Sequence, residues 1–179
     1  MKFLVFVNAH ALAHVSRTLE VAKELRQKNH QITFAGFGKY LEVVQTEGFA
    51  SEEIPYVSLE TLTRVTQEHN PKNFLPEADV TKFIEAELNL IKKIKPDIIL
   101  ADNRITATTS AEISGLPIVT IVNVHMSVYK KIPFYSVRNS FLKHSENLST
   151  AVDWFTNKIE CYFIDLLVMR NLSKVRQQM

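Results

Sequence analysis

Lys2-Phe-Leu-Val-Phe-Val7, His14-Val-Ser-Arg-Thr-Leu-Glu-Val-Ala-Lys-Glu-Leu25 and Gln31-Ile-Thr-Phe-Ala35 follow one another at the start of the chain. The first run is apolar without alternation, the pattern of a strand covered on both faces in a parallel sheet. In the second, Val15, Leu19, Ala22 and Leu25 recur at helical spacing, and Arg26, Gln27 and Lys28 make a polar last turn. The third is short and β-rich. Strand, helix and strand in this order predict a parallel pair joined by a right-handed crossover.

The same rhythm continues. Residues 39–47 read as a second helix stopped by Gly48, 49–55 as a short third strand, and 56–76 as an irregular connection rich in Thr, Asn and Pro. From Glu77, the apolar positions Val80, Phe83, Ile84, Leu88, Ile91 and Ile94 share one helical face, which Lys95-Pro96 ends. Residues 97–101 then predict a fourth strand, 106–114 a helix with Gly115 at its C′ position, and 117–122 a fifth strand. The expected fold is α/β: a Rossmann-like open parallel sheet in three αβα layers. Residues 1–150 form this domain. Residues 151–179 carry Val152, Phe155, Ile159, Tyr162, Phe163, Leu166 and Leu167 on one side of an amphipathic helix, expected to pack on the same domain or on a second one.

Several function classes fall away on composition. The 21 basic and 19 acidic residues nearly cancel, so no field favours nucleic acid. Four glycines, Gly36, Gly38, Gly48 and Gly115, leave neither a P-loop nor a G-x-G-x-x-G after the first strand, which disfavours a cradled nucleotide phosphate there. The six histidines do not pair with Cys or Glu at metal-ligand spacings, so neither a metal nor a bound cofactor is expected. Ser110 and Ser114 lack a nucleophile elbow. The single cysteine, Cys161, fits a reducing, cytoplasmic setting. The best apolar stretch, 161–169, is broken by Asp165, so no transmembrane segment is expected.

In an open parallel sheet, ligands bind beyond the carboxyl ends of the strands where strand order reverses. If the strand order is 3-2-1-4-5, the loop after strand one and the stretch from Asp102 are neighbours. His14 stands beside the start of the first helix, whose positive end favours a neutral imidazole able to accept a proton. Asp102 would fix the ring's tautomer and stabilise its protonated form. A helix cap is the ordinary alternative for both residues. His10 competes with His14, and His125 stands after strand five, where it would line the same cleft.

The opening runs, with Asn29-His-Gln-Ile-Thr-Phe-Ala35, resemble the start of GT-B glycosyltransferases, including the UDP-glycosyltransferase superfamily and the lipid-linked N-acetylglucosaminyltransferases. Lys95-Pro-Asp-Ile-Ile-Leu-Ala-Asp102 and Ala111-Glu-Ile-Ser-Gly-Leu-Pro-Ile-Val119 are similar to that family's fourth strand, helix and fifth strand. The resemblance implies one half of a GT-B fold, the N-terminal, acceptor-binding half of a nucleotide-sugar-dependent transferase, UDP-sugar-using and inverting. It gives His14 the role of general base and Asp102 that of its partner, with Asn8, His10, Asn103, Asn123 and His125 toward the acceptor. The nucleotide sugar is then a co-substrate held mainly by a C-terminal donor-binding domain, in cis or in trans, without which this chain is inactive. The acceptor is a small molecule or lipid-linked. Two departures stand out: Ala11-Leu-Ala13 replaces the family's Gly-x-Gly before the histidine, and Arg17 occupies a position where many members carry Pro. The alternatives are a non-catalytic interaction subunit of a split transferase, peripheral to a membrane through Tyr129-Lys-Lys-Ile-Pro-Phe-Tyr135 with Arg138 and Lys143, and a sugar-nucleotide epimerase half.

Overall fold

A computed structural model describes residues 1–68, 75–123 and 169–179. The segment 129–135, His125, Cys161 and the expected helix over 151–167 lie outside the described residues. The elements run β1 (Lys2–Asn8), α1 (Leu12–Gln27), β2 (Gln31–Phe37), α2 (Leu41–Thr46), β3 (Ala50–Glu53), α3 (Leu59–Glu68), α4 (Glu77–Ile94), β4 (Ile98–Asp102), α5 (Ala107–Ile113) and β5 (Ile118–Ile121). Helical residues 169–178 follow at the end.

The five strands are parallel in the order β3-β2-β1-β4-β5. β1 lies at the centre, with Val7 opposite Gly36 on one side and Asp102 on the other. Successive side chains of a strand point to opposite faces, and β1 divides its residues accordingly. Val5 and Val7 pack with Val15, Leu19 and Ala22 of α1 and Leu41 and Val44 of α2. Leu4 and Phe6 pack with Leu90 and Ile91 of α4 and Ala107 and Ala111 of α5. This is the three-layer αβα arrangement expected. It explains why the run from Leu4 to Val7 is apolar throughout and fully buried: each such side chain contributes about 1.5–3 kcal/mol on burial.

Two chain reversals are set by backbone chemistry. Lys95 ends α4 in the left-handed region, φ 53°, where its N–H reaches the carbonyl of Ile91, and Pro96 prevents continuation. Gly38 leaves β2 at φ 127°, packed so closely that a β-carbon would stand 2.5 Å from the Ala9 carbonyl carbon. The chain after β1 is thereby fixed against the end of β2, with Ala9 N–H on Phe37 O and Tyr40 N–H on Ala9 O.

The connection over 56–76 is not irregular throughout: it contains α3. Ser58 starts this helix, its hydroxyl oxygen accepting the N–H of Thr61 at 3.1 Å, with Glu60 in the first turn. Leu59, Leu62 and Val65 also recur at helical spacing along it, a stripe that the loop reading passed over. Of the expected face of α4, Leu88 is only half-buried and Glu87 takes a fully buried place. At the far end, Leu172 and Val175 join a cluster with Tyr56, Val57, Leu75, Val80, Phe83 and Ile84, so residues 169–178 pack on this domain.

Candidate active site

The site forms where β1 and β4 end side by side. β4 delivers Asp102, whose side chain is fully buried, and the first turn of α1 delivers His14. His14 Nδ1 lies 2.8 Å from Asp102 Oδ1. On the other side of the ring, Asn103 Nδ2 lies 3.0 Å from Nε2. Asn103 adopts φ 51°, a left-handed conformation that asparagine tolerates better than most residues. That turn folds its amide back over the imidazole.

Two of these contacts favour one tautomer. An amide nitrogen only donates, so Nε2 accepts and the ring proton sits on Nδ1, where it is donated to Asp102. Arg17 Nη2 also lies 2.8 Å from Nδ1. The guanidinium hydrogen is aimed at Nδ1 with hydrogen-bond geometry, so Arg17 as donor and Asp102 as acceptor compete for that nitrogen. The opposite tautomer would satisfy Arg17 alone while setting a lone pair against the carboxylate.

Arg17 grips the same carboxylate with a fork: Nε donates to Oδ2 at 2.6 Å and Nη2 to Oδ1 at 2.7 Å. Its remaining arm, Nη1, donates to Asn123 Oδ1 at 2.5 Å, just beyond β5. The hydrogen bonds to Asp102 raise the Arg17 guanidinium above its ordinary value, against partial desolvation. One arginine thus ties α1, β4 and the exit of β5 together. Sequence reading noticed Arg17 only as a replacement for proline, although its place three residues after His14 puts both on one helical face.

Beneath this layer lies a second buried cluster. Arg104 Nε donates to Glu87 Oε1 at 2.5 Å, and the hydroxyls of Thr106 and Ser110 donate to Oε1 and Oε2 of the same carboxylate. Arg104 also donates to the carbonyl of Pro55 and lies over the Tyr56 ring, 4.5 Å from its centroid. Tyr56 accepts the Ile105 N–H at 3.0 Å, and burial pushes its phenol up to about 12. This cluster holds the turn that follows β4, which carries Asn103. Neither Glu87 nor Arg104 was expected, yet Glu87 interrupts the stripe Val80, Ile84, Ile91, and a charge on an apolar stripe implies a buried partner.

His14, Asn103 and Asn123 line one cavity of about 250 Å³ with Arg17, Thr108 and Ile121. His10 lies elsewhere: its Nε2 contacts the Val57 carbonyl at 2.8 Å, its ring meets Phe37 edge-on, and it lines a separate cavity of about 450 Å³ with Lys39 and Leu59. Asn8 is buried and uses its Oδ1 to accept the His10 N–H at 3.2 Å, shaping the turn after β1. Among the described residues, no group of three or more His, Cys, Asp or Glu side chains could hold a metal ion, and no helix is long and apolar enough to cross a membrane.

Known proteins share this fold. The Streptomyces sp. SF2575 glycosyltransferase SsfS6 has a similar fold, with a TM-score of 0.54 at 19% identity, over 67% of this chain and 38% of that one. The chain is 28% identical to a PGL/p-HBAD biosynthesis rhamnosyltransferase of Mycobacterium bovis, over 74% of its own length and 29% of the relative's. It is 29% identical to an inactive PGL/p-HBAD biosynthesis glycosyltransferase from the same organism, over 69% of its own length and 34% of the relative's. The chain therefore spans roughly a third of the curated relatives it matches. The sheet is that of one Rossmann-like half of a GT-B glycosyltransferase. With the family model described as glycosyl transferase family 1 matching residues 1–164, the chain belongs to that family.

Proposed function

We propose that this domain binds the acceptor of a nucleotide-sugar-dependent, inverting glycosyltransferase, and that His14 is its general base. One observation carries the reading. His14 sets Nδ1 against a buried carboxylate and Nε2 beside Asn103, with which it lines the cavity. A hydroxyl of the acceptor near Nε2 would lose its proton to the ring as its oxygen attacks the anomeric carbon. The leaving nucleotide diphosphate would be held by the second GT-B domain, in cis or in trans, and the donor is a UDP-sugar in this reading. General-base assistance of this kind is worth about 10²- to 10⁴-fold, the remainder coming from positioning. Asn103, Asn123, Thr108 and Thr120 would orient the acceptor's polar groups, while Ile105 and Ile121 give it an apolar wall. The test is sugar transfer by the whole protein, wild type against His14→Ala, with retained folding checked by circular dichroism. Unchanged turnover overturns the assignment.

A second reading, a non-catalytic partner subunit, is favoured by Arg17. It already neutralises the carboxylate that should support an imidazolium, and one relative is named inactive. Transfer by the whole protein that survives His14→Ala would favour it.

A further inference from the structure

The cavity of about 450 Å³ that His10 lines takes no part in the proton transfer assigned to His14. It opens beyond the carboxyl ends of β1, β2 and β3, whereas the His14 cavity lies beyond β4 and β5. The two therefore flank the end of β1 on one edge of the sheet. With neighbouring strands about 4.8 Å apart, three strand spacings separate them, about 14 Å.

The walls of this cavity are fixed by the fold. Ala9 N–H donates to Phe37 O and Tyr40 N–H to Ala9 O, which ties the turn after β1 to the end of β2. The His10 ring is pinned from two sides. A carbonyl only accepts, so Nε2 donates to Val57 O at 2.8 Å, and the ring meets Phe37 edge-on with centroids 5.4 Å apart. Nδ1 is left without a partner among the described residues. A polar atom held in place by its neighbours and left unpaired is a preorganised contact for a ligand.

The lining is of two kinds. Phe37, Leu41 and Leu59 make an apolar wall, of which Leu59 is 59% exposed. Around it stand His10, Lys39, Glu42 and Glu53. Neither glutamate has an ion-pair partner among the described residues, and Lys39 Nζ rests 4.7 Å from the centroid of the Tyr40 ring. Two carboxylates against one ammonium, with no arginine, offer phosphate or a carboxylate no net attraction. The carboxylates call for hydroxyl donors, as does Nδ1 of the neutral ring. Lys39 calls for an oxygen, and the apolar wall for the C–H face of a ring. A sugar carries all three on one rigid body.

We propose that this cavity binds a neutral sugar, one already attached to the acceptor and held across the end of β1 from His14. The acceptor is then a sugar-bearing molecule long enough to reach both cavities. The site stands on its own lining; only its link to the acceptor rests on the general-base reading above.

The test is a titration of the nitrogen-15-labelled 179-residue chain with the methyl glycosides of glucose, galactose and mannose, followed by amide chemical shifts. At least one glycoside should shift the amides of His10, Lys39, Glu42 and Glu53. His10→Ala and Glu42→Ala should each weaken it about three- to tenfold, the loss of one hydrogen bond. Glu42 is exposed on α2, so its variant serves if His10→Ala does not fold. No shift of these amides by any of the three glycosides overturns the proposal, and so does tighter binding there of inorganic phosphate or ethanolamine. In the whole protein, Glu42→Ala should raise the acceptor's KM and leave kcat unchanged; an unchanged KM removes the link to the acceptor. If His14→Ala leaves transfer intact while a glycoside still binds beside His10, the base reading falls and the site stands. If His14→Ala abolishes transfer and no glycoside binds there, the site falls and the base reading stands.

Discussion

Glu87 and Arg104, 17 residues apart in sequence, meet in an ion pair with both side chains fully buried. The carboxylate also accepts the hydroxyls of Thr106 and Ser110, so α4, the turn after β4 and the start of α5 close on one anion. Removing one partner strands the other charge away from water. Glu87→Ala should cost about 3–5 kcal/mol, read as a lowered urea midpoint. Glu87→Leu with Arg104→Met should recover much of that loss, because an apolar pair of similar volume leaves no uncompensated charge. A double variant no more stable than Glu87→Ala would show that the pair does more than neutralise itself.

His14→Ala in the whole protein should lower sugar transfer at least about tenfold without altering its unfolding midpoint by more than about 1 kcal/mol. The ring is partly exposed and the alanine keeps α1 intact, so loss of activity through unfolding is not expected. The measurement is initial rate against donor concentration, with the chemical step isolated under saturating acceptor.

Tyr56 predicts an alkaline weakness. Its phenol is raised to about 12 in the fold, chiefly by burial, with Glu87 adding and both the Ile105 N–H and Arg104 opposing. A raised value means the native state holds a proton that the unfolded chain releases near pH 10. The contribution is complete below that pH and disappears as pH climbs through about 12, at up to about 1.4 kcal/mol per pH unit within the window. Urea unfolding at pH 8, 10, 11 and 12 should show a steeper decline for wild type than for Tyr56→Phe. At pH 8 the variant should be about 1–3 kcal/mol weaker, because the Ile105 N–H loses its acceptor. Parallel pH curves would refute the assignment.

Gly38→Ala tests the turn after β2. The new β-carbon would sit 2.5–2.6 Å from backbone atoms of Ala9 and His10, at a φ of 127° that side chains rarely adopt. A cost of about 2 kcal/mol or more is expected, measured by thermal or urea unfolding. Rates of transfer should fall as well, since the displaced segment leads directly into the helix carrying His14. A variant as stable as wild type would mean the loop after β1 yields freely.

Much of this was legible in the residues. The continuous apolar run of β1, the stripe of α1 and the proline after Lys95 each report a local physical demand and mark the elements, while the strand order that brings His14 to Asp102 was a supposition that the structure bears out. The helix α3 was missed although Leu59, Leu62 and Val65 recur at helical spacing, because the Thr, Asn and Pro around them were read as a loop. Arg17 was misread because its partners, Asp102 and Asn123, are 85 and 106 positions away, and only the folded sheet makes them neighbours. Arg104 was hidden for the same reason, whereas Glu87 announced itself as a charge on an apolar stripe and went unheeded.

Asn103 shows what such a site demands of its scaffold. Holding a side-chain-bearing residue at φ 51° has a cost even for asparagine, which tolerates it better than most, and glycine would remove that cost. Glycine would also remove the amide that meets the imidazole. A screen for thermal robustness should therefore enrich Asn103→Gly, while a screen for turnover should reject it, so durability and performance are pitted against each other at a single codon.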